Sequence, residues 1–169
     1  MRVYLPATTT TLRTLVDDGA LPGPHTGFAV TDHLRRFYAL TDDQADVEEL
    51  EYAALLGAAR GSLRLLDVDP GAARRRVVLA ADVPDAAVRP VDDEEERGAV
   101  RIEADVRVAD IASAHIDGAE AEGDVGAAVA VVLEADLGSD DAQFVVDQAE
   151  GHELAWYATQ EIGPVLELL

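Results

Sequence analysis

Five side chains of different chemistry crowd the stretch His-Glu-Leu-Ala-Trp-Tyr-Ala-Thr-Gln-Glu at 152–161. They are an imidazole (His152), an indole (Trp156), a phenol (Tyr157), an amide (Gln160) and a carboxylate (Glu161). Taken as one pleated strand over 152–162, the stretch puts His152, Leu154, Trp156, Ala158 and Gln160 on one face. Glu153, Ala155, Tyr157, Thr159 and Glu161 fall on the other. The plainer expectation is a core strand, with Trp156 supplying apolar area and its indole N–H donating to a backbone acceptor. The sharper one is a ligand pocket near the strand end, lined by Tyr157 and Glu161 or by His152 and Gln160. An enzyme built here would act through His152, Glu153, Tyr157 and Glu161.

Other candidates are weaker. His115 and Asp117 could pair as imidazole and carboxylate and, with His152, ligate a metal. Four histidines among 34 acidic residues meet carboxylates by chance, however, so no metal is expected. The acidic run Asp92-Asp93-Glu94-Glu95-Glu96 lacks the alternating ligands and the glycine of a calcium loop. Arg74, Arg75 and Arg76 form the one basic cluster and have no interleaved aromatics. They are expected to neutralise acids where a buried strand begins. Nucleotide loops, the Gly-x-Ser-x-Gly elbow and His-Glu-x-x-His are missing, and none of Ser62, Ser113 and Ser139 sits in a nucleophile context. No cofactor is expected.

The elements that must position these residues follow from periodicity. Residues 2–7 alternate as a strand, Val3 and Leu5 on one face and Tyr4 on the other, with Pro6 suggesting an edge or an end. Thr8 caps a helix carrying Leu12, Leu15 and Val16, and Gly19 stops it. Residues 27–31 read as a short strand, and Thr31 or Asp32 caps a short helix. Thr41 to Gln44 has capping-box spacing and opens the longest helix, about 46–66, with acids first and Arg60 and Arg64 near its end. The run 77–83 is apolar throughout, as a strand covered on both faces requires. Residues 84–98 read as a mobile acidic connection. Residues 99–108 alternate as one half-exposed strand, its outer charges placed to pair with neighbouring strands. A helical turn at 110–113 and a short strand at 114–116 follow. Asp117 with Glu120 then opens a helix through Val125, Ala128, Val129, Val132 and Leu133, preferred to a strand at 125–135 because the apolar spacing outlasts strand length. Asp140 begins another helix, and Gly163-Pro164 ends the last strand. These pieces predict one α+β domain over 1–169, a single mixed sheet of about five strands with helices packed on it.

With 13 basic and 34 acidic residues the formal charge is −21, every basic residue is arginine, and there is no cysteine. That removes thiol chemistry and disulfides. Codon bias and adaptation to salt both produce such a profile; partial clumping of the acids favours codon bias. The field repels nucleic acid and anionic membranes, and it disfavours anionic ligands outside a local basic pocket. The amino-terminal residues show no apolar signal core, so a cytoplasmic location is expected.

Arg-Val-Tyr-Leu-Pro at 2–6, Glu-Tyr-Ala-Ala-Leu-Leu at 51–56 and the stretch 152–161 give the chain a likeness. It resembles an uncharacterised family, a domain of unknown function of high-GC Gram-positive bacteria, and that resemblance implies no activity for any residue. The function expected is a small binding or interaction module without catalysis, its partner a protein or a small molecule, with a homodimer left open. The alternatives are an enzyme using groups near the last strand, and an acidic mimic of nucleic acid.

Overall fold

A computed structural model of the chain describes residues 1–41 and 46–169. Nine strands alternate with six helices among them. In chain order these are β1 (Arg2–Ala7), α1 (Thr9–Asp18), β2 (Ala20–Leu21), β3 (His25–Phe28), α2 (Asp32–Thr41) and α3 (Val47–Asp67). Then come β4 (Val77–Asp82), β5 (Val88–Pro90), β6 (Ala99–Ile102), β7 (Val106–Arg107) and β8 (Ile111–Ile116). The chain finishes with α4 (Glu122–Asp136), α5 (Asp140–Glu150), β9 (Ala155–Ala158) and α6 (Ile162–Leu166). The α+β class is as expected, but the sheet is larger. Seven strands run in the order β5-β6-β3-β1-β4-β8-β9, and β2 and β7 make a separate ribbon. Every pairing is antiparallel, not mixed. The short strands are the ones periodicity undercounts: β5 has three residues and lies inside the acidic connection.

Alternation along β1 decides the two layers. Val3, Leu5 and Ala7 pack with Leu12 and Leu15 of α1 and Ile162 and Leu166 of α6. Tyr4, on the opposite face, joins Leu50, Ala54 and Ala58 of α3. β4 is buried on both faces from Val77 to Ala81. The α4–α5 hairpin closes a third cluster against Leu63 and Leu66 at the end of α3. Among the described residues no helix is long and apolar enough to cross a membrane.

Caps explain several boundaries. Thr8 and Thr11 form a capping box at α1, and Gly19 ends that helix at φ 76°. Thr31 Oγ1 accepts from Leu34 N at 3.1 Å, capping α2. The box that opens α3 is Asp46 with Glu49; the spacing noted at Thr41 to Gln44 falls largely outside the described residues. Two glycines let α3 lie close on the sheet. A Cβ at Gly57 would stand 2.6 Å from Phe28 Cδ1, and one at Gly61 2.6 Å from Pro6 Cγ. Ser62, fully buried, donates to Ala7 O at 2.6 Å and accepts from Val77 N at 3.0 Å, clasping the paired ends of β1 and β4.

Several sequence expectations need correction, among them the helical turn expected at 110–113: the turn is Val108–Asp110, and β8 already begins at Ile111. Of the two readings of Pro6, the strand end holds, since it is the penultimate residue of β1, and the edge does not: β1 is central, and its pairing with β3 is confined to Tyr4↔Phe28, short of the residue that has no N–H. The strand expected over 99–108 is cut in two, because Asp105 accepts from Gly23 N at 2.9 Å and β7 then turns to pair with β2. Asp117 does not cap α4. It is buried against Arg76, and α4 begins without a side-chain cap. The last strand is only β9. Glu161 accepts from Ala158 N at 2.7 Å and Thr159 donates to Ile111 O at 2.8 Å, turning the chain into α6. Pro164 stands in the first turn of α6, where its missing N–H costs nothing, so Gly-Pro opens a helix here.

Candidate ligand cleft and the groove beside the last strand

The five side chains singled out near the carboxyl end do not converge. Trp156 is 61% exposed on the edge strand β9, not a core residue. Tyr157, on the opposite face, is half-buried against the α1–α6 core. His152 precedes the strand, and its Nε2 lies 2.8 Å from Asp124 of α4. Gln160 and Glu161 are exposed in the turn Thr159–Glu161, and Glu153 is exposed before β9. Nor do His115 and Asp117 pair: His115 Nε2 lies 3.1 Å from Ser113 Oγ, whereas both carboxylate oxygens of Asp117 accept from Arg76. Among the described residues no three His, Asp or Glu side chains are grouped to hold a metal.

A larger concavity lies elsewhere, a cleft of about 820 Å³ between α2, α3, the 93–98 segment and the α4–α5 turn. One wall is apolar: Phe28, Leu34, Phe37, Tyr38, Ala53 and Gly57. The other is charged and comes from helical spacing. Arg60 and Arg64, one turn apart on α3, both reach Asp136 at the end of α4. Arg60 donates to Asp136 Oδ1 at 3.1 Å, Glu150 at 3.3 Å and Gln143 at 2.9 Å. Arg64 donates to Asp136 Oδ2 at 2.8 Å and also pairs with Glu96. Burial pushes the Asp136 carboxyl up, but the hydrogen bonds and charges of Arg64 and Arg60 outweigh it and hold it below its ordinary value. The Arg64 guanidinium is raised in turn, first by Asp136.

The rim is pinned. Thr31 Oγ1 donates to Arg97 O at 2.7 Å and Ala29 N to Gly98 O at 2.8 Å, tying the 93–98 segment to the start of α2. Arg97 then lies over the Phe37 ring, 4.0 Å from its centroid. Behind the Arg64–Glu96 pair is a second cavity of about 510 Å³, lined by Leu5, Pro6, Leu21, Pro24, Leu65 and Leu79 among others. Phe28, Arg64 and Glu96 border both spaces.

A third, shallower groove of about 250 Å³ runs between α3 and β9. Glu48, Glu51, Tyr52 and Leu55 face it from α3 at helical spacing, with Arg2, Tyr4, Ser113, His115 and Trp156 on the sheet side. Arg2 is engaged by Asp82 at 2.8 and 3.1 Å. Burial pushes the Tyr4 phenol up, aided by Glu51, and pushes the His115 imidazole down, aided by Arg2.

Residues 1–166 match the model of a family of unknown function. The chain belongs to the family of unknown function DUF6912. No curated protein and no solved structure matches it. The three stretches that carried the likeness in the sequence meet in this DUF6912 fold. Arg2 and Tyr4, Glu51 and Tyr52, and Trp156 all border the groove.

The cleft was not legible in the DUF6912 sequence as a site. Arg60 and Arg64 have the i, i+4 spacing of a helix face, but Asp136 and Glu96 are far away in sequence. Their meeting depends on how the α4–α5 hairpin and the 93–98 segment pack on α3. The arginine cluster behaves nearly as expected: Arg75 pairs with Glu122 at 2.9 Å and Arg76 with Asp117, while Arg74 donates to the carbonyls of Leu66 and Asp69.

Proposed function

We propose that this chain is a non-catalytic binding module, and that the cleft between α3 and the 93–98 segment receives a small molecule with a flat, largely apolar body. The observation that carries this reading is the pairing of an aromatic and aliphatic wall with a charged wall whose groups already satisfy one another. Phe28, Phe37 and Tyr38 offer ring surface, and Arg97 stacked on Phe37 adds a planar cation at the rim. A cleft of about 820 Å³ falls within the range that accommodates cofactor- or drug-sized ligands. Arg60, Arg64, Asp136 and Glu96 fix the shape of the opposite wall, and with their charges spent on one another they suit a scaffold better than a proton-transfer relay. The enzyme alternative called for His152, Glu153, Tyr157 and Glu161 to act together. Their divergent surroundings favour the binding reading. On this reading the protein works in the cytoplasm of a high-GC Gram-positive bacterium, its acidity a product of codon bias.

Nile red, a neutral flat fluorophore, tests the cleft. The folded chain is expected to bind it saturably with one-to-one stoichiometry, and Phe37→Asp to weaken it by about tenfold, the loss of roughly 1.4 kcal/mol of apolar contact. Unchanged affinity in Phe37→Asp, with the fold intact by circular dichroism, would overturn the proposal.

A further inference from the structure

The groove between α3 and β9 lies on a different surface from the cleft and carries an independent reading. Two large aromatics stand exposed along it, Trp156 at 61% and Tyr52 at 56%. Glu48 and Glu51 project from α3 one turn apart, and neither forms an ion pair among the described residues. The floor holds Tyr4, only 6% exposed. Arg2 reaches its hydroxyl, but the guanidinium is engaged chiefly by Asp82 at 2.8 and 3.1 Å, which leaves the phenol oxygen able to take a further donor. Two carboxylates that form no ion pair among the described residues, a phenol oxygen at the floor and two exposed rings give the groove a set of acceptors and π surfaces.

We infer that this groove recognises a guanidinium group, the side chain of an arginine in an extended basic segment of a partner protein. A guanidinium is planar and weakly hydrated, so it stacks on indole and phenol faces. Its fork of N–H donors suits two carboxylates and a phenol oxygen better than an ammonium does. The remaining polar groups do not oppose it. Arg2 is neutralised by Asp82, and burial disfavours the charged form of His115. At about 250 Å³ the groove is below the size that encloses a whole organic ligand but ample for one side chain. The rest of the partner has somewhere to lie, because β9 ends the sheet and its outer edge pairs with no other strand among the described residues. A second copy of this chain is a poor occupant: each carries −21, and its approach would be opposed by like charge.

Trp156 is the only tryptophan, so its emission reports on the groove directly. The probe is a capped tri-arginine peptide titrated at about 0.15 M salt, where long-range attraction to the acidic surface is screened. A saturable change in Trp156 emission is expected. The double variant Glu48→Gln/Glu51→Gln weakens binding by about fivefold or more, and Tyr4→Phe weakens it by a smaller factor. Asp17→Asn/Asp18→Asn removes the same charge from two exposed acids at the end of α1 and leaves the affinity within about twofold. Equal losses in the two double variants would reduce the effect to bulk charge and overturn the inference. So would a tri-lysine peptide that binds as tightly, or a peptide that binds without touching Trp156 emission.

Discussion

Arg76 and Asp117 are each 1% exposed, joined by two contacts of 2.8 Å, with a third from Arg76 N to Asp117 Oδ2 at 2.8 Å. Arg76 Nη2 also donates to His152 O at 2.9 Å, so the pair ties the segment before β4 to the ends of β8 and α5. A buried ion pair repays its desolvation only while both partners remain. Asp117→Ala strands a guanidinium in the core and is expected to cost about 3–5 kcal/mol in urea unfolding. Arg76→Met combined with Asp117→Leu should cost far less than the two single changes summed; strict additivity would show that the ion pair is not what couples them. The Asp136 carboxyl makes a pH prediction. Its pKa is depressed in the folded state by Arg64 and Arg60 despite burial, so native Asp136 binds its proton less readily than the unfolded chain does. Its contribution is therefore complete above the unfolded carboxylate value, about 4, and is lost as pH falls through the lower folded value. The urea midpoint should drop between about pH 4 and pH 2, and Asp136→Asn should flatten that drop.

At the scale of the element, α3 shows a conflict between helix propensity and packing. Glycine inside a helix is unfavourable by about 1 kcal/mol relative to alanine, so Gly57→Ala or Gly61→Ala would stabilise an isolated α3. In the folded chain the new methyl meets the Phe28 ring or the Pro6 ring at 2.6 Å. Each substitution is expected to lower Tm, by an amount equivalent to about 1–3 kcal/mol of overpacking. A rise in Tm would mean that α3 can lift off the sheet without penalty. Much at this scale was readable beforehand. The Thr8 cap, the Gly19 stop, both faces of β1, the apolar β4 and the helix through 125–135 all follow from residue type and spacing. The failures share a cause. The cut between β6 and β7 and the short β9 are set by hydrogen bonds to distant residues, from Gly23 to Asp105 and from Thr159 to Ile111, which local periodicity does not contain.

For the whole molecule the net charge of −21 dominates. Self-repulsion of that size destabilises the compact state, and screening relieves it within about 10 Å at 0.1 M salt. Raising sodium chloride from about 0.01 to 0.5 M should therefore raise Tm, even though it weakens exposed pairs such as Arg107–Asp110 and Arg101–Glu103. A falling Tm would indicate that the ion-pair networks outweigh the net repulsion. By itself the sequence determined the α+β class, the absence of thiol chemistry, the acidic field and most helix boundaries, because composition and short-range spacing govern each of these. Tertiary structure decided which strands are neighbours and where the chemically varied side chains point. The stretch at 152–161 looked like one strand and one site. Packing divides it among the α1–α6 core, α4 and the groove with α3, because alternate residues of a short edge strand face opposite layers. The cleft and the groove exist only where elements distant in sequence meet, and no local pattern records that meeting.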